Sequence, residues 1–452
     1  MPSGGTSFDL RKRQAEAPMS TPKSPKQPGH APNLAIHSEP PNVLLTSRKF
    51  HQTWCPYRQA TLLQQALTGD KMRVGFLLGA GCAVSVRVTE GSNDRPLIPD
   101  ISGLTQLVSS SLRASSTHAR SFSVVLSHLR GLDKINPTVE DVLTHVRSLQ
   151  EIIGSETWDG LTRSTLNTLD EAICDQINTI VSVHLPEQNT PYHQLATWIG
   201  AIQRTNPVEI FTTNYDLLME QALVNCRVPY FDGFVGSDRT FFDLASMEQD
   251  HLPPRWARLW KIHGSINWWQ TGNDVERTGS RKVGSRLLIH PSHLKYDQSR
   301  RMPYLAMLDR LRSFLGRNQA ILVTSGYSFA DQHLNEVIFQ GLSSNPTATC
   351  FGLIFGDRGN SEAVMRARKH ANLSLLAVDG AVRGTIDHDW SSNDEPTHPL
   401  HAVAVKTGDF GSRSKSPVEQ SKFLLGDFVA FGNFLAHQLA HRGDEERRGN
   451  VT

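Results

Sequence analysis

Four short stretches place polar, titratable or glycine residues directly after apolar runs. The stretch PVEIFTTNYDLL, Pro207 to Leu218, begins with Val208, Ile210 and Phe211, which read as a buried parallel strand. Thr213, Asn214 and Asp216 follow where that strand ends, and open parallel sheets bind ligands beyond the carboxyl ends of their strands. Asp216 also suits the cap of a following helix, so a strand, an Asx turn and an N-cap without function share the pattern. In RLWKIHGSINWW, Arg258 to Trp269, the run Leu259, Trp260, Ile262 is followed by His263, Gly264 and Ser265 at the same relative place. A histidine there titrates near working pH and can take or give a proton, or can serve as a structural hydrogen bond. Trp268 and Trp269 read as core in the first place, with an aromatic wall of the pocket as the alternative.

The other two stretches bring glycine. In KMRVGFLLGAGCAVSV, Lys71 to Val86, a strand through Val74, Phe76, Leu77 and Leu78 runs into Gly79, Ala80 and Gly81. Those glycines let the backbone turn tightly and approach a ligand, and a helix over Cys82 to Val86 would offer N–H groups to a diphosphate. Any tight strand-to-helix turn needs glycine for steric reasons alone, so the motif by itself is weak. Cys82 has no paired base in the sequence and reads as a small buried thiol. In QAILVTSGYSFADQHLNEVI the strand Ala320 to Thr324 leads into a turn at Ser325, Gly326, Tyr327 and Ser328, with a helix beginning at Asp331.

These exits need a scaffold, and the alternation of apolar strands with helical patterns supplies one: an α/β, Rossmann-like doubly wound parallel sheet with right-handed crossovers. Between its strands, 104–190 keeps helical spacing through Leu104, Leu107, Val108 and Leu112, then Val124, Leu126 and Leu129, then Val139, Val142, Leu143, Val146 and Leu149. Pro137 and Thr138 mark one helix start, so a helical insertion subdomain is expected over the sheet's crevice. The polar segment RVTEGSNDRPLIPDISGL after the first glycine turn is expected as a lid, 380–418 as loops, and SKFLLGDFVAFGNFLAHQLA as a closing amphipathic helix. Residues 1–45, rich in Pro, Ser, Lys and Gln, are expected as a disordered tail, 46–441 as the folded domain and 442–452 as a flexible tail.

Bulk properties narrow the class. With 38% hydrophobic and 20% charged residues in 452, the chain can build a sizeable core, and a net charge of +2 gives no electrostatic reason to expect nucleic acid or an anionic membrane. Five scattered cysteines without Cys-x-x-Cys spacing argue against a disulfide framework and a zinc site, and point to a reducing, cytoplasmic setting. His290 and His293 would serve a metal only if further ligands converged on them. No Walker-type GxxxxGK[ST] sequence is present.

The series GAG, TNYD, KIHGS and GYSFAD, each after a strand, resembles the sirtuin-like NAD-consuming superfamily, with its bacterial anti-phage defence branch, zinc-less NAD hydrolases, the nearest look-alike. By that resemblance Gly79, Ala80 and Gly81 would face the NAD diphosphate, Asn214 and Asp216 the nicotinamide-side ribose and its water, and His263 would be the catalytic base. Gly326 and Ser328 would lie along the adenosine side, while Cys82, Asp100, Thr213, Gly264 and Ser265 complete the expected NAD-binding set. The chain departs from protein-deacetylating sirtuins in lacking their paired Cys-x-x-Cys zinc module and Phe-Arg pair, with only Pro99 and Asp100 matching further on. The resemblance therefore implies NAD as substrate, no zinc, and hydrolysis to nicotinamide and ADP-ribose. Its alternatives are a non-catalytic NAD or ADP-ribose sensor and a lysine deacylase. It also implies a homo-oligomer, or a partner such as a hexameric translocase-type ATPase, a nuclease or an Argonaute-like protein.

Overall fold

Nine strands form the sheet that carries all four motifs. Its order is Ile386–Asp389, Gly380–Arg383, Leu373–Leu376, Thr349–Leu353, Ala320–Ser325, Arg73–Leu78, Glu209–Thr212, Ala257–Lys261 and Tyr230–Phe231. The seven strands from Leu373–Leu376 to Tyr230–Phe231 are parallel, and the two at the other edge are antiparallel. The structure is a computed structural model, and it describes residues 54–91, 93–187, 189–237, 240–272, 274–279, 286–289, 302–391, 398–408 and 420–449. All fall in one unit, Ser47–Thr452. The tail expected at 1–45 and the pair His290 and His293 lie outside the described residues.

Side-chain alternation along each strand builds a core on both faces of the sheet. Val74, Phe76 and Leu78 pack with Ile210, Leu259 and Val323 on one face, and Leu77 packs with Phe211, Trp260 and Leu322 on the other. The helix Pro191–Ala201 and the closing helix Phe428–Gly449 cover the first face, where Trp198 meets Phe76 edge-on at 5.6 Å and Phe431 lies at 6.1 Å. The helix Tyr304–Gly316 covers the second through Met307, Leu311 and Phe314. This is the Rossmann-like doubly wound arrangement. A separate five-stranded antiparallel sheet contains Gly264–Thr271, on which Trp268 and Trp269 are buried.

The helical insertion consists of Ile101–Ala114, Ala119–Gly131, Val139–Ile152 and Arg163–Val181. Thr138 starts the third of these with a reciprocal cap, accepting from the Asp141 N–H at 3.1 Å while Asp141 accepts from the Thr138 N–H at 2.9 Å. The buried ion pair Arg147–Asp170, 2.8 Å, joins the third helix to the fourth.

Several boundaries differ from expectation. The segment expected as a lid contains the hairpin Arg87–Glu90 paired with Asn93–Pro96 and then enters the helix Ile101–Ala114, since polar residues can still form a two-stranded ladder. The 380–418 region contains the hairpin Gly380–Arg383/Ile386–Asp389 and the strand Val405–Gly408 where loops were expected. The closing segment begins with the strand Gln420–Phe423, and its helix runs beyond 441 to Gly449. Among the described residues, no helix is long and apolar enough to cross a membrane.

Candidate active site

Register brings the four motifs to one edge. Leu78 pairs with Ser325 on one side and Thr212 on the other, and Thr212 pairs with Lys261, so residues 79, 326, 213 and 262 leave adjacent strands at one level. The chain runs from the Arg73 strand to Glu209–Thr212 and Ala257–Lys261 on one side, then returns to Ala320–Ser325 on the other. The crevice between Leu78 and Ser325 is thus the topological switch point, where open α/β sheets hold ligands.

The two glycine turns at that point pack backbone against backbone. The Gly79 N–H donates to the Ser325 carbonyl and the Gly81 N–H to the Gly326 carbonyl, each at 3.0 Å. A Cβ on Gly79 would lie 2.3 Å from the Gly326 oxygen. Gly326 has φ +61°, and a Cβ there would lie 2.4 Å from the Cys82 nitrogen. Close packing of two loops therefore accounts for both glycines. The helix after the first turn is Gly81–Ser85, one residue earlier than the pattern suggested, and the Cys82 N–H is already donated to the Gly79 carbonyl at 3.0 Å. Cys82 sits beneath the turn, fully buried, its thiol donating to the Ser325 carbonyl at 3.2 Å. Burial pushes that thiol far above its ordinary value, so it remains protonated. Ala80 and Gly81 are exposed at the edge, as is Ser328 across from them.

Asn214 spans two strand exits. Its side-chain amide donates to the Gly79 carbonyl at 3.1 Å and its backbone N–H to the Thr212 hydroxyl at 3.0 Å, while the Thr213 N–H and Thr212 hydroxyl both donate to the Leu78 carbonyl. Asp216 is buried and accepts from the Leu218 N–H at 3.0 Å at the head of the helix Leu218–Asn225. Burial raises its pKa from the ordinary 3.8 to about 6, although Lys261 pulls it down. Lys261 itself is buried, donating to the Asp216 carbonyl and, at 2.9 Å, to Glu220. Sequence reading gave Lys261 no role. Its position one residue past Trp260 was visible, but its contacts with Asp216 and Glu220 belong to the fold.

Because Asp216 gains protons on folding between pH 4 and 6, its contribution favours the folded state in acid and is lost as pH rises through about 6. Asp216→Asn keeps an oxygen for the Leu218 N–H and removes the buried charge. The variant is expected to be more stable than the parent by about 3 kcal/mol at pH 8, the rise from 3.8 to about 6 being worth ~1.4 kcal/mol per pKa unit. The difference should vanish near pH 4. Urea unfolding at the two pH values reads it, and equal stability of the two proteins at pH 8 would contradict the burial effect.

His263 follows Ile262 at the next exit, with 13% of its side chain exposed, and its Nε2 lies 2.9 Å from Asp331 Oδ2. Asp331, 9% exposed, caps the helix Gln332–Ser344 by accepting from the Leu334 N–H at 3.1 Å. Burial raises the Asp331 carboxyl, but the hydrogen bond and charge of His263 outweigh it and hold the group below the ordinary carboxylate range. Two carboxyls at one edge are thus driven apart, Asp216 upward and Asp331 downward. The sequence showed Asp331 only as a helix start, with no sign that a residue so distant in the chain would meet His263. Gly264 and Ser265 are buried, and the Ser265 hydroxyl donates to the Tyr215 carbonyl at 3.4 Å. Asp100 lies on the insertion side, exposed, capping Ile101–Ala114 by accepting from the Gly103 N–H at 2.8 Å.

Tyr215 connects these loops to the insertion. Its hydroxyl donates to Glu140 Oε1 at 2.6 Å, and its carbonyl also accepts from the Ile266 N–H at 3.0 Å. Tyr215→Phe is expected to cost about 1–2 kcal/mol by removing a short, part-buried hydrogen bond to a carboxylate. Glu140→Gln, which keeps an acceptor oxygen, should cost less. Denaturant midpoints of the two variants decide this, and a neutral Tyr215→Phe would remove the link.

Among the described residues, no group of three or more His, Cys, Asp or Glu is placed to hold a metal. Residues 208–376 match a family model described as SIR2-like domain. This region is SIR2-like. It contains the Asn214, His263 and Gly326 exits and Asp331, while the Gly79–Gly81 turn precedes it. No curated protein matches the chain. A solved structure described as "Structural Basis for the Mechanism and Regulation of Sir2 Enzymes" is 12% identical, with 67% of this chain and 88% of that chain covered at a TM-score of 0.33.

Proposed function

We propose that the protein is an NAD+ hydrolase that cleaves the nicotinamide–ribose bond and acts in anti-phage defence by depleting NAD. A SIR2-like region goes with NAD-dependent chemistry in general, and the observation that carries the finer reading is the Asp331-bound His263 one strand away from Asn214 and Asp216. Hydrolysis needs a held diphosphate, a group that orients ribose and water, and a base. The edge of the Gly79–Gly81 turn, Asn214 and His263 fill these roles in this reading, with Gly326 and Ser328 along the adenosine. Asp216, two residues on and buried in the same loop, is assigned with Asn214 to the ribose and water in this reading.

In the reaction the C1′–N bond breaks, and its electron pair goes to the nicotinamide ring nitrogen, cancelling the ring's positive charge. The water oxygen bonds to C1′ of the oxocarbenium-like ribose, and the water proton passes to His263. In water enriched in ¹⁸O, the ADP-ribose formed should carry one labelled oxygen at C1′, with nicotinamide in equal amount. An acyl-ADP-ribose product formed only when an acylated peptide is added would overturn hydrolysis in favour of deacylation. The defence role predicts faster NAD loss in extracts of phage-infected cells than in uninfected ones, and equal rates in both would remove it. Control through self-assembly or a neighbouring partner protein belongs to the same proposal, and the mass of the purified protein, alone and after co-purification, tests it.

A further inference from the structure

We propose that Asp331 is a positioning residue that holds the His263 proton on Nε2, so that Nδ1 is the nitrogen that accepts the proton during NAD cleavage; this rests on the reading of His263 as the base. Each oxygen of the Asp331 carboxylate has its own donor. Oδ2 faces His263 Nε2 at 2.9 Å, and Oδ1 takes the Leu334 N–H at 3.1 Å. A carboxylate accepts only, so the nitrogen facing it carries the hydrogen and the other ring nitrogen keeps its lone pair.

The carboxylate is itself fixed. Asp331 follows the Gly326–Phe329 turn, and Asn335 on the helix it caps donates to the Phe329 carbonyl at 2.7 Å and accepts from the Tyr327 hydroxyl at 2.8 Å. The turn that packs against Gly79 and Gly81 therefore also sets the angle of the imidazole, coupling the diphosphate end of the site to its base. The imidazolium formed as the proton arrives lies against a carboxylate that is already ionised. Of the titratable groups facing Asp331, His263 is bonded to it and His333, on the capped helix, is a weaker favourable influence on the carboxylate.

Asp331→Asn separates this role from helix capping. Asparagine caps helices as well as aspartate does. With its oxygen on the Leu334 N–H, however, it turns an NH₂ group toward Nε2, and the imidazole must move its hydrogen to Nδ1 to accept it. The expected result is a variant with a melting temperature within a few degrees of the parent and a KM for NAD within about twofold, but a kcat lower by at least ~100-fold. In protein labelled with ¹⁵N-histidine, with His263→Gln assigning the signal, the parent should show the Nε2–H tautomer and Asp331→Asn the Nδ1–H form. An active parent whose Asp331→Asn variant keeps its kcat would overturn the proposal, as would a parent carrying its hydrogen on Nδ1. A parent with no NAD turnover even when infected-cell extract is supplied would refute the hydrolase reading instead, and the tautomer measurement would still decide whether Asp331 sets the state of His263.

Discussion

Replacing His263 with alanine is expected to lower NAD cleavage by at least ~100-fold while the protein stays folded, because a positioned acid–base group contributes that much and more. The side chain is largely enclosed but packs at a strand exit, outside both hydrophobic cores, so its removal leaves the sheet intact. Its loss strands the Asp331 carboxylate without its histidine donor, and the carboxyl should titrate higher in the variant. Asn214→Ala should also abolish turnover, with a stability loss of about 1 kcal/mol from the missing bond to the Gly79 carbonyl. Measuring nicotinamide release together with the far-ultraviolet spectrum of each variant separates chemistry from folding. Full turnover in both variants would refute the site assignment.

The largest effect on stability is expected from Gly326→Ala. At φ +61° an L side chain is strained, and the new methyl would press on the Cys82 backbone nitrogen at 2.4 Å and its sulfur at 2.9 Å. Neither neighbour can yield, because Cys82 is buried and held by hydrogen bonds to Gly79 and Ser325. Overpacking typically costs about 1–3 kcal/mol, and the left-handed backbone adds roughly 1–2 more. Any folded fraction would have the two turns forced apart, which should remove NAD binding as well. Gly316→Ala is the contrast: a Cβ there meets nothing within 4 Å, and the change should be neutral or stabilising by up to about 1 kcal/mol. Comparable denaturant midpoints for the two variants would show that the turn packing is not as tight as these distances state.

What the sequence made legible followed from local pattern. Val208 to Phe211, Leu259 to Ile262 and Ala320 to Thr324 are apolar runs ending in polar or glycine residues, and each run is a strand whose exit lies at the crevice. The helical spacing from Leu104 onward and the Thr138 start were likewise local, and both appear in the insertion. Contacts between distant segments were not legible. His263 and Asp331 meet only because crossovers place their strands on opposite sides of the Arg73 strand, and Lys261 reaches Asp216 and Glu220 only once its strand pairs with Glu209–Thr212. The Gly79 and Gly81 pattern was visible, but its steric cause, the Gly326 turn, lies far along the chain. The hairpins at 87–96 and 380–389 do not show the alternation of a half-buried strand, the first being almost wholly polar and the second buried at three successive residues, Gly380 to Val382.

The most direct test of the central claim is incubation of the purified protein with NAD, following nicotinamide and ADP-ribose by chromatography, with His263→Ala in parallel. The account predicts equal amounts of the two products from the parent and at least ~100-fold less from the variant. Intact NAD bound to the parent with no nicotinamide released, under conditions where the fold is verified and infected-cell extract is supplied, would contradict hydrolysis and make the site a sensor.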